Sequence, residues 1–181
     1  MTGKGTGMRT LTICLTIALA SAAVAVAKPR HRPLTYDGDC QGSGTVAFKP
    51  PLTNTARQTT QHARGLATCS GTLVDGQGRS HQLTNARVLY TATEQGDVSC
   101  GEGIDSGTGA LHFKWGALRF SVTERRAAAL ATLTFTGANG GSATGVAHPT
   151  GDPVATVQAC AGSGLRKAPV DLSLSADSLS G

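Results

Sequence analysis

The chain has 181 residues, 39% of them hydrophobic and 15% charged, with five cysteines, 24 glycines and a formal charge of +5. This excludes a fibrous or low-complexity protein and fits one globular domain behind a short targeting segment. The positive charge is small and partly gathered near the amino terminus, so it carries no strong nucleic-acid signal.

Lys4 and Arg9 precede an uncharged run from Leu11 to Ala27 that ends in Ala25-Val26-Ala27. A charged start, an apolar run and a small-residue A-x-A site describe a helical signal peptide over residues 1–27, cleaved between Ala27 and Lys28. The run is too short for an anchor and no second apolar span follows, so no membrane span is expected in the mature chain. Cys14 follows Ile13 inside the run, unlike a lipidated cysteine. Loss of Lys4 and Arg9 with the leader lowers the formal charge to +3. Residues 28–38 are expected to be a disordered basic segment, since Lys28, Arg30 and Arg32 are interspersed with Pro29 and Pro33.

A single β-domain is expected over residues 39–176, followed by a tail at 177–181. Its main signal is two-residue alternation. Thr84, Ala86, Val88 and Tyr90 alternate with Asn85, Arg87 and Leu89. Ala129, Ala131, Leu133 and Phe135 alternate with Leu130, Thr132, Thr134 and Thr136. Val170, Leu172 and Leu174 alternate with Asp171, Ser173 and Ser175. Asp75-Gly76, Asn139-Gly140-Gly141 and Thr150-Gly151-Asp152-Pro153 read as turns between strands. No long helical periodicity follows Lys28. The fold class is therefore all-β, an antiparallel β-sandwich or β-barrel of about eight strands.

Apolar residues are odd-numbered at Leu111, Phe113 and Trp115 but even-numbered at Leu118, Phe120 and Val122, with Gly116 at the switch. A tight turn or bulge there returns both sets to one core, which makes Trp115 a core plug rather than a ligand platform. The polar stretch Thr53 to Arg64, after Lys49-Pro50-Pro51, reads as a surface loop where specificity would reside.

Four cysteines remain after cleavage: Cys40, Cys69, Cys100 and Cys160. An even number behind an export signal implies two disulfides. Of three possible pairings, Cys40 with Cys69 and Cys100 with Cys160 is the one expected, closing loops worth about 3.5 and 4 kcal/mol at most in the chain-entropy picture. Zinc is the rival use, but the cysteines lack C-x-x-C pairing and no metal site is expected. Their intervals suggest a hairpin unit of about thirty residues headed by a glycine phrase.

Candidate chemistry is sparse, and neither a catalytic residue nor a cofactor-binding residue is assigned. Cys69-Ser70-Gly71-Thr72-Leu73-Val74 and Asp105-Ser106-Gly107 resemble pieces of chymotrypsin-like proteases, but Glu94 stands where the histidine belongs, leaving Ser106 unactivated. His31, His62, His81, His112 and His148 are scattered and read as surface residues, strand pairing being the one route that would bring His81 and His112 together. Glu94, Asp97, Glu102 and Asp105 surround Cys100 and read as a solvated acidic turn, since no calcium-loop pattern accompanies them. Lys114, Arg119, Arg125 and Arg126 form the nearest approach to a basic stripe, with Arg125-Arg126 read as a polar turn. Few aromatic rings are left to stack sugars once a core is filled.

The leader, the phrases Cys40-Gln41-Gly42-Ser43-Gly44-Thr45 and Cys69-Ser70-Gly71-Thr72, and the Gly109 to Gly116 segment together resemble small secreted actinobacterial proteins with Gly-rich β-strand phrases. That resemblance implies an extracellular compartment and β-architecture alone. The expected function is a secreted, non-catalytic binding or surface-associated module whose partner is a cell-wall polymer or another secreted protein; the alternative is a small secreted hydrolase or hydrolase inhibitor. No cofactor is expected.

Overall fold

A computed structural model describes residues 1–2 and 32–181. The chain divides into Met1–Arg30 and His31–Gly181, and every element below belongs to the second unit. The expected leader over residues 1–27 and its cleavage between Ala27 and Lys28 thus lie outside the described residues, apart from Met1 and Thr2.

Eight strands form one closed antiparallel barrel in which each strand pairs with its sequence neighbours and β8 returns to β1. They are β1 (Thr35–Leu52), β2 (Arg57–Val74), β3 (Ser80–Val98), β4 (Glu102–Phe113), β5 (Gly116–Ala127), β6 (Leu130–Gly137), β7 (Gly140–Pro149) and β8 (Leu165–Ser180). Of the two architectures that the alternation allowed, the barrel is the one formed. Closure leaves no unpaired strand edge.

The domain is longer at both ends than expected. Residues 35–38, assigned from sequence to a disordered segment, are strand, with Thr35 and Tyr36 paired to both β2 and β8. Residues 177–180, assigned to a tail, complete β8 against β1 and β7. The reason is closure: these two segments are each other's neighbours in the wall, and Leu34 and Gly181 exchange two more backbone hydrogen bonds beyond it.

Both disulfides pair as expected, Cys40 with Cys69 and Cys100 with Cys160. The first joins directly opposed residues of β1 and β2. The second ties the β3–β4 loop to α1 (Pro153–Ala161), a helix between β7 and β8. The turn reading of Thr150 to Pro153 missed this helix, although Asp152 is its N-cap, bonded to the Val154 amide, with proline at the first helical position. The thirty-residue unit does not exist structurally: Cys40 and Cys69 lie on strands, Cys100 in a loop and Cys160 on the helix.

The Gly116 phase change is a two-residue turn, with Phe113 paired to Gly116 around Lys114 and Trp115. Trp115 is half-buried against the core and stacks on His81 with ring centroids 4.1 Å apart, consistent with a plug. The polar stretch from Thr53 is a loop only as far as residue 56. From Arg57 it is strand, and Thr59 and Gln61 point inward, each 1% exposed.

Two apolar clusters fill the barrel. The larger includes Tyr36, Leu73, Phe113, Leu118 and Leu179 and occupies the end where β2–β3, β4–β5 and β6–β7 turn, called here the hairpin end. The smaller, Phe48, Leu52, Val98 and Ala168, lies at the opposite, helix end beside α1. Outward positions of β5 and β6 carry Arg119, Ser121, Thr123, Arg125, Thr132 and Thr134, all exposed, so this wall is apolar inside and polar outside. That is the reverse of a lipid-facing barrel wall. Among the described residues no helix is long and apolar enough to cross a membrane.

Candidate ligand cavity and its buried carboxylate cluster

Between the two clusters the inward face of the wall turns polar. On β3 the even-numbered positions face inward, so the parity that buries Val88 and Tyr90 also buries Glu94. On β5 it carries Leu118, Phe120 and Val122 into Glu124 and half-buried Arg126, and on β4 it carries Leu111 back to Asp105. Strand register then assembles the group, since Gln61 stands opposite Glu94 and Asp105 opposite Glu124.

Glycine makes the approach possible. Gly96 is paired with Asp105 and Gly107 with Glu94. A β-carbon at Gly96 would overlap Asp105, and one at Gly107 would overlap Thr93 and the Glu94 backbone. With only glycine opposite either acid across the β3–β4 pair, carboxylate oxygens of Glu94, Asp105 and Glu124 come within 4.8 Å of one another.

Arg126 donates to Glu124 from Nε at 3.1 Å and from Nη2 at 2.5 Å, and Nη2 also reaches Gln61 Oε1 at 2.8 Å. The Gln61 amide donates to Asp105 Oδ2. The Arg126 guanidinium stands 5.5 Å from the centre of the Phe48 ring. One cation thus faces three acids. Glu94 Oε2, Asp105 Oδ1 and Tyr90 Oη have no hydrogen-bond partner among the described residues. Burial, then the charges of Glu124 and Asp105, push the Glu94 carboxyl strongly upward; burial and Glu124 raise Asp105 as well. Like charges this close in a dry interior cannot all ionise, and the neutral form is favoured most at Glu94.

The cluster borders open space. A cavity of about 520 Å³ opens at the helix end, walled chiefly by apolar residues of β1, β6, β8 and α1, with Glu124 and Arg126 on its inner side. A second chamber of about 60 Å³ lies deeper and is bordered by Tyr90, Glu94 and Glu124. Val46, Glu124, Ala147 and Val170 border both spaces.

The sequence-derived candidates scatter differently. Of the four acids around Cys100, the solvated-turn reading holds for Asp97 and Glu102, which are exposed, and fails for Glu94 and Asp105, which are 5% and 2% exposed. The turn reading of Arg125-Arg126 fails too, because both lie on β5, Arg125 outward and Arg126 inward. Ser106 is exposed on the outer wall while Asp105 faces inward, so the protease-like fragment forms no unit. His62, His112 and His148 are exposed, as expected. His81 does not meet His112, which bonds Thr91 on the outer wall. It pairs instead with buried Asp75 at 2.9 Å, at the hairpin end. That hydrogen bond, with those of Arg79, holds the Asp75 carboxyl well below the usual range.

No family model matches the sequence, and no curated protein or solved structure matches it.

Proposed function

We propose that this chain is an exported, non-catalytic binding protein whose barrel mouth holds one small, largely apolar molecule. The observation that carries this reading is the cavity of about 520 Å³ at the helix end. Its size and apolar lining, with a few convergent polar groups, are those of small-molecule sites, and eight-stranded barrels are wide enough to enclose one such ligand. Export rests on the charged and apolar leader and on two disulfides, which form in oxidising compartments. The hydrolase alternative has less support: no serine or cysteine nucleophile joins the Asp75–His81 pair among the described hydrogen bonds.

The test is titration of the oxidised protein with N-phenyl-1-naphthylamine, a neutral dye that brightens in apolar surroundings. Saturable binding of one dye per chain is expected. Ala147→Phe, at the junction of the two spaces, and Val157→Asp, on the cavity side of α1, should each weaken it. Absence of saturable binding to the intact protein would refute the reading.

A further inference from the structure

The cavity does not end in hydrocarbon alone: Glu124 borders both it and the small chamber, whose wall also carries Glu94. Glu94 and Glu124 belong to a cluster of three carboxyl groups and one guanidinium, which stays net negative even with Glu94 neutral. A buried charge without a partner is costly, and an anionic head group would add to it. Glu94 is 95% buried by its 5% exposure, borders the chamber and leaves Oε2 without a partner.

We infer that the ligand of this barrel is a cationic amphiphile, a primary alkylammonium whose head enters the inner chamber against Glu94 and Glu124 while its apolar chain fills the mouth. This rests on the binding reading above and specifies the chemistry of the bound molecule. An ammonium group donates hydrogen bonds only, which suits the unpartnered acceptor of Glu94 beside the Glu124 carboxylate. A bare metal ion would use the acids but not the apolar mouth, and Arg126 already occupies Glu124. The head group takes the place of the Glu94 proton, which is released to solvent while the ammonium keeps its own three. The polar groups on the chamber wall are Tyr90 and Glu94 from β3 and Glu124 from β5, and hydrogen bonds link Glu124 to Arg126 of β5, then Gln61 of β2 and Asp105 of β4; Asp171 of β8 acts on the Tyr90 phenol.

The experiment is displacement of N-phenyl-1-naphthylamine from the oxidised protein by octylammonium, octanol and octanoate, with calcium chloride alone as a fourth arm. Octylammonium should displace the dye at about tenfold lower concentration than octanol, the equivalent of one charge-assisted hydrogen bond, and octanoate should be weakest. Glu94→Gln, which keeps shape and removes charge, should erase the advantage of octylammonium over octanol. Calorimetry in two buffers of different ionisation enthalpy should register proton release with octylammonium and none with octanol. Octanol or octanoate matching octylammonium overturns the inference but leaves the cavity reading standing, as does displacement by calcium alone. Dye that never binds overturns both.

Discussion

The two ends of this barrel are made from the same alternating strands and differ in what their inward positions carry. At the hairpin end Tyr36, Leu73, Leu118 and Leu179 are fully buried, and the mouth is stoppered by Trp115 on His81. Tyr36 Oη lies 2.9 Å from the carbonyls of Asp39 and Ser70, and burial together with Asp39 and Asp37 pushes its phenol up to about 12. At the helix end the inward positions carry acids, and the space above them is left open beneath α1. One end spends its interior on packing and the other on a cavity; the second gives up dispersion contacts and dry burial that the first retains.

That contrast is sharpened by removing the Cys100–Cys160 disulfide, the covalent tie between α1 and the β3–β4 loop. Cys100→Ser with Cys160→Ser should cost up to about 4 kcal/mol in urea unfolding and make amides of α1 the fastest to exchange, with Tyr36 and Leu118 amides still protected below global unfolding. Equal acceleration at both ends would break the comparison. Next in size is Leu118→Ala at the packed end, expected to cost about 3 kcal/mol.

Opposite responses to pH are expected from the two ends. Glu94 has a raised folded-state pKa, so the native protein binds the extra proton and loses stability as pH climbs from about 4.5 through that raised value. Glu94→Gln should remove this decline and gain on the order of 1–2 kcal/mol at pH 8 in thermal melts followed by circular dichroism. Asp75 has a lowered pKa, so its contribution is present above its ordinary value of 3.8 and is lost as pH falls through the folded one. Asp75→Asn should therefore destabilise the protein at pH 7, with the difference from the parent shrinking in strong acid. A Glu94→Gln protein with an unchanged alkaline limb would contradict a raised Glu94 carboxyl.

The smallest effect is expected at Leu165, half-buried on the cavity wall. Leu165→Ala should cost less than about 1 kcal/mol, since little dry packing is lost, yet shift the midpoint of dye binding. A loss as large as that of Leu118→Ala would mean that the mouth is packed like the core.

Much of this fold was legible in the alternation itself. Ala131, Leu133 and Phe135 lie inward and Thr132 and Thr134 outward as read, and the parity switch at Gly116 is a turn. The acids were misread for a traceable reason. Continuing the inward parity from Val88 and Tyr90 reaches Glu94, and from Phe120 and Val122 it reaches Glu124 and Arg126; chain neighbours such as Asp97 and Glu102 suggested a hydrophilic turn instead. In the Gln61 region, polarity hid a strand whose parity also reaches buried Ala67 and Cys69.

By itself the sequence determined the all-β class and the strand faces, because side chains in an extended chain must alternate between two sides. It also supplied the even set of cysteines whose expected pairing is the one formed. The tertiary structure alone decided that the sheet closes on itself, and that Gln61 opposes Glu94 and Asp105 opposes Glu124. Those are relations between residues tens of positions apart, set by register and shear around the barrel. No local pattern encodes them, and the carboxylate cluster and its cavity exist only once the wall is complete.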